Sequence, residues 1–340
     1  MNREQTCWVS TAHRRGRLAT RMITLAVAGL TSACAAPQRA PAAAAGPSAE
    51  ALPAARVRTA SYELYAPNDA VAEAVRQELD RGAAIFERHF GVAPPLIGVM
   101  VFNSTDEMRA FDWAPFRARF RAVLPWLVQF EGDPTVSATG VEGQRAISHE
   151  ACHIFLLAQT SLTLGRTAGP AARPAAGAPR SYGDPALPDW FDEGVATLCE
   201  PEALHQSRVA QLRSVADSTI PLAELFSMEH PVWRQLQNVM DAQRAGAGDT
   251  ARVPGTGPGI TRLRVRPGEF GGTRGVTFYS QTNSVLEFMA EREGPGFVAR
   301  LGEGLARGKT VEEVLAAHAR RLPHGIPALE QEWKAWHTTR

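Results

Sequence analysis

Apolar and polar positions change period several times along the chain, and each change predicts an element. Residues 57–65 (VRTASYELY) suit a short strand, and from Asp69 onward Val71, Ala74, Val75, Leu79, Ala83, Ile85 and Phe86 fall at mostly helical spacing up to Gly91. Residues 96–102 (LIGVMVF), entered from Pro94-Pro95, form a continuous apolar run and the strongest strand candidate. From 144 to 159 (QRAISHEACHIFLLAQ) apolar residues surround the polar ones so densely that the segment reads as a buried helix. A Pro-, Gly- and Ala-rich loop is expected over 166–187, then a second helix from Pro188 or Asp189 to about Cys199. Helical pattern dominates the remainder, near 221–226, 275–292, 297–307, 311–318 and 327–337, interrupted by a Gly-rich stretch at 244–274. The expected fold class is α+β: a small N-terminal sheet layer with helices, then a mainly helical C-terminal part.

The buried helix carries the first chemistry. In HEACH, His149 and His153 are four residues apart, which at 3.6 residues per turn puts both imidazoles on one face, one turn apart. Both can reach one metal ion. Glu150 is offset by about 100° and can approach water at that ion without replacing it. Burying these groups without a metal or close partners is costly, although a helix whose His and Glu are satisfied by local hydrogen bonds has the same pattern. Catalytic zinc usually has three protein ligands and an open position. Forty residues after His153 comes WFDEGVA, with two candidate carboxylates, Asp192 and Glu193, on the second helix. Gly194 and Ala196 are expected to let that helix pack closely against the first. His205 and His230 read as surface or internally satisfied histidines.

HEACH followed by WFDEGVA resembles the gluzincin clan of zinc metallopeptidases, specifically its peptidase MA-like bacterial families. The similarity extends loosely to TFYSQTNSVLEFMAEREG at 277–294, GLARGKTVEEVLAAH and LEQEWKAW, and covers roughly residues 57–340. It implies a zincin-like fold, Zn²⁺ held by His149, His153 and Glu193 rather than Asp192, Glu150 as the base, and a peptide or protein substrate. In such enzymes the substrate lies along a sheet edge above the motif helix, implying that 96–102 or a neighbouring strand flanks the cleft. In the aminopeptidase branch a Tyr at the start of the later helix stabilises the oxyanion, and Tyr279 matches it. The residues after it, Ser280, Gln281 and Thr282, depart from the Glu-Lys-Gly that accompanies that Tyr, so a packing aromatic remains the other reading. A different class of function, a non-catalytic zinc-stabilised envelope lipoprotein that binds a partner, retains the same metal residues.

Composition changes this picture mainly at the N-terminus. Arg14, Arg15, Arg17 and Arg21 precede the small apolar stretch 22–36 (MITLAVAGLTSACAA), which reads as an export signal and is too short to span a bilayer comfortably. Its end resembles a bacterial lipoprotein signal, which implies membrane attachment through a lipid on Cys34; Thr31 stands where such signals carry an aliphatic, and cleavage after Ala35 or Ala36 is the alternative. The expected location is periplasmic, envelope-attached or secreted. Expected units are the signal at 1–36, a Pro/Ala-rich tether at 37–55, a catalytic part at 56–205 and a helical subdomain at 206–340. Thirty-six Lys and Arg against 35 Asp and Glu leave a net charge of +1 and no basic field to recruit nucleic acid. Of four cysteines, Cys152 and Cys199 fall in the folded part. They can pair across the two metal-bearing segments, or remain two small buried residues.

Overall fold

The computed structural model describes residues 5–10, 53–120, 122–127, 141–166, 186–231, 260–265 and 272–339. The stretch 22–36 with Cys34, most of the 37–55 tether, most of the 166–187 loop and much of 244–274 lie outside the described residues. Strand β1 (Gln5–Ser10) pairs antiparallel with β6 (Ile260–Val265), so part of the expected Gly-rich loop is a strand.

A four-stranded sheet forms the N-terminal layer in the order β2 (Val57–Arg58), β3 (Tyr62–Tyr65), β4 (Ile97–Phe102), β5 (Val123–Leu127). The single strand expected over 57–65 is two strands of a hairpin, because the Thr59 hydroxyl accepts from the backbone N–H groups of Ser61 and Tyr62 and turns the chain. β3, β4 and β5 are parallel, so crossovers join them: α1 (Asp69–Phe90), then α2 (Thr105–Ala110) with α3 (Trp113–Arg119). Helix α1 starts where the Asn68 side chain accepts from the N–H of Val71, and stops at Gly91, whose φ of 69° is left-handed.

β4 is apolar throughout because both its faces are covered. Ile97, Val99 and Val101 face the main core with Tyr62 and Leu64; Met100 and Phe102 face Phe116 and Phe120 on the other side. Gly98 lies under those two phenylalanines, where a Cβ would collide with their rings. The helices α2 and α3 and the strand β5 carry no strong periodicity and were not expected from the pattern.

The remaining helices are α4 (Val141–Thr163), α5 (Asp189–Leu198), α6 (Glu202–Ser214), α7 (Leu222–Leu225), α8 (Gly272–Glu293), α9 (Phe297–Ala306), α10 (Val311–His318) and α11 (Ile326–Thr338). The boundary expected near residue 205 falls inside α6, and one hydrophobic core runs from the sheet through α4 and α5 to Trp333 on α11. Gly194 serves a different contact from the one expected. Its Cβ position is 2.6 Å from Leu286 and 3.3 Å from the carbonyl of Thr282, so it admits α8 rather than α4. At Gly82 of α1 the same position is 3.5 Å from the Ser148 carbonyl, where α1 meets the motif helix. Among the described residues no helix is long and apolar enough to cross a membrane.

Candidate metal centre

Helix α4 packs its apolar side, Ile147, Ala151, Cys152, Phe155 and Leu156, into the core. That leaves His149 and His153 facing α5. Residues 190–197 of α5 are all buried, which is how a carboxylate reaches the interior beside them. His149, His153 and Glu193 offer ligand atoms that all lie within 4.8 Å of one another. The two Nε2 atoms are 3.2 Å apart, His149 Nε2 is 3.5 Å from Glu193 Oε2, and His153 Nε2 is 3.7 Å from Oε1. Around a tetrahedral ion with bonds of about 2.0–2.1 Å, ligand atoms lie about 3.3–3.4 Å apart, so the set fits such an ion with shifts of a few tenths of an ångström.

Two further observations fit a cation. Glu193 Oε2 is fully buried with no hydrogen-bond partner, a costly state for a carboxylate unless a cation faces it. With neutral imidazoles, the buried carboxylates of Asp192, Glu193 and Glu200 leave two negative charges beyond the buried Arg208 guanidinium that meets Glu200, the charge one divalent ion balances.

Each of the three residues is oriented by a neighbour. His153 Nδ1 is 2.7 Å from Asp192 Oδ1, and His149 Nδ1 is 3.0 Å from Glu200 Oε1. A carboxylate at Nδ1 holds the proton there and leaves the Nε2 lone pair for the ion. Glu193 Oε1 is 3.0 Å from His230 Nε2, which is also 2.9 Å from the Tyr279 hydroxyl. The backbone N–H of His230 donates to Asp189 Oδ2 at 2.7 Å. Asp192, the competing carboxylate in the sequence, therefore touches a ligand rather than joining the set. Glu150 is half-buried, and its charge acts on His153.

Charge coupling is strong. Burial alone would lower the pKa of His153, but Asp192 and Glu193 outweigh it and bring it up to about 10. Burial would raise Glu193, but the His153 and His149 imidazoles hold it well below the usual carboxylate range. Burial would likewise raise Glu200, and Arg208 and His149 together hold it at about 2. Without an ion, protons on the imidazoles do the balancing.

Cys152 and Cys199 form a disulfide with a Cα–Cα distance of 6.4 Å, so of the two readings left open the pairing is the one realised. It ties α4 to the end of α5, immediately before Glu200.

Sequence reasoning missed His230, Glu200 and Arg208. By sequence His230 reads only as a surface or internally satisfied histidine, because nothing local signals that the chain after α7 returns it to Glu193. Glu200 and Arg208 meet across the break between α5 and α6, which no period reveals. No family model matches the chain, and no curated protein or solved structure matches it.

Proposed function

We propose that the chain is an exported, zinc-dependent peptidase with a zincin-like fold, hydrolysing peptide bonds at the His149–His153–Glu193 centre. The observation that carries this reading is the convergence of two Nε2 atoms 3.2 Å apart on Glu193, whose buried Oε2 makes no hydrogen bond and faces His149 Nε2 at 3.5 Å. When bound, zinc supplies a Lewis acid that polarises the scissile carbonyl and makes water nucleophilic near neutral pH. Glu150 takes a proton from the attacking water and delivers it to the leaving amine nitrogen, so one water is consumed and a carboxyl and an amine appear. The Tyr279 hydroxyl, held by His230, donates to the carbonyl oxygen as negative charge develops on it. His149 and His153 keep their Nε2 atoms turned to the centre through Glu200 and Asp192.

The sheet supports an extended substrate. Residues 97–102 are internal, between β3 and β5, so the last strand in the order, β5, takes the flanking role. A peptide added to β5 would run past the motif helix, bound through its main chain.

Two measurements test the reading. Zinc added to the chelated chain raises Tm, by an amount equivalent to about 2.7 kcal/mol at a hundred times Kd. Glu150→Gln keeps that shift and loses about 10²–10⁴-fold in kcat on a peptide library. A variant that binds zinc and cleaves as fast as the parent would remove Glu150 from the mechanism; zinc binding without any cleavage by the parent would favour the partner-binding lipoprotein.

A further inference from the structure

We propose that Arg208 is a positioning residue for both sides of the centre, holding the ligand His149 through Glu200 and the phenol of Tyr279 through its ring. The proposal rests on the zinc-peptidase reading above.

Arg208 is on α6, outside both metal-bearing helices, and only 5% exposed. Its Nε and Nη2 donate to Glu200 Oε2 and Oε1, each at 2.5 Å. This two-pronged contact leaves the carboxylate one orientation, because a planar fork meets a planar acceptor along two parallel bonds. In that orientation Oε1 also faces His149 Nδ1 at 3.0 Å. The ligand's ring angle is thus set through one intervening side chain, Glu200. On its other side the guanidinium carbon is 5.4 Å from the centroid of the Tyr279 ring. A cation over an aromatic face restrains the ring plane, and so the line along which the hydroxyl meets His230.

Packing alone does not account for an arginine here. A buried guanidinium pays a large desolvation cost that an apolar residue of similar volume avoids. Its contacts go to the residue that aims His149 and to the ring that carries the oxyanion donor. One side chain therefore couples ligand geometry to oxyanion geometry, although His149 and Tyr279 come from different helices, α4 and α8.

The test uses the full chain and Arg208→Lys, which keeps the charge and loses the fork and much of the stacking. Zinc Kd is measured by chelator competition, and kcat and KM on a peptide at saturating zinc. The expected result is a 10–100-fold rise in zinc Kd together with a fall in kcat that persists at saturating zinc, KM changing little. The Kd effect disappears in a Glu200→Gln background, and the kcat effect in a Tyr279→Phe background. If Arg208→Lys does not fold by circular dichroism, Glu200→Gln and Tyr279→Phe are combined instead: their effects on kcat are non-additive if Arg208 links them, and additivity overturns the proposal. A variant with lower Tm but the parent's Kd and kcat would show a structural role only and overturn it as well. A parent that takes up no zinc overturns the metal reading and this inference with it. A parent that binds zinc and cleaves, with Arg208→Lys matching it, overturns the inference alone.

Discussion

The two faces of the sheet solve burial differently. On the face covered by α2 and α3, Tyr65, Phe116 and Phe120 meet edge-on or tilted at 4.8–6.3 Å between ring centroids, and the buried Glu63 is matched by Arg119 and the Tyr65 hydroxyl. Volume and ring geometry hold that face together. On the other side, beyond α1 and α4, the core encloses Asp192, Glu193, Glu200, His153, Arg208 and His230, and their mutual orientation matters more than their volume. A region that buries rings loses stability when a ring is removed. A region that buries charges is sensitive to the angles at which they meet.

The largest effect should come from the charged side. On the proposed peptidase reading, Glu150→Gln removes the proton carrier without changing volume, and kcat should fall by the 10²–10⁴-fold given above while thermal stability stays near that of the parent. On the aromatic side, Phe116→Ala should cost about 3–5 kcal/mol in a denaturant titration and leave the zinc Kd unchanged; a weakened Kd would break the division between the faces. The disulfide belongs to both regimes. Cys152→Ser with Cys199→Ser opens a loop of 47 residues' separation, worth about 4 kcal/mol in the chain-entropy treatment, and should also weaken zinc binding because α4 and the end of α5 lose their tie. Asp192→Asn is smaller still: a 10–100-fold rise in zinc Kd, about 1.4–2.7 kcal/mol, with apo stability measured alongside.

A further effect concerns pH and lies outside the centre. Burial, then Arg88 and His205, lowers the pKa of His89 to about 4. The unfolded chain, with an ordinary histidine near about 6.5, binds more protons between these values, so the contribution of His89 to stability is full above pH about 6.5 and is lost as pH drops towards 4. His89→Gln should flatten Tm against pH over that window. An unchanged slope would assign the acid sensitivity to other groups.

Local pattern made much of the molecule legible. The run 96–102, the helix from Asp69 and the helix around HEACH announce themselves because periodicity and continuous apolarity report burial directly. The C-terminal helices were legible to within a few residues, Val311–His318 to the residue, where Thr310 and Glu313 form a reciprocal cap. Helices α2 and α3 were not, being too short for a period to repeat, nor was α6, of which only Arg208 and Leu212 are buried and no apolar stripe marks the period.

At the centre the division is sharper. Four-residue spacing on a helix determines by itself that His149 and His153 share a face, since helical geometry is local. That Glu193 points at them, that Asp192 and Glu200 hold their far nitrogens, that His230 returns to Glu193 and that Arg208 spans Glu200 and Tyr279 depend on how α4, α5, α6 and α8 pack. Apart from Arg208 with Glu200, which meet eight positions apart across a break between helices, those contacts join residues 37 to 71 positions apart, where no sequence period reaches and only the packed core sets distance and direction.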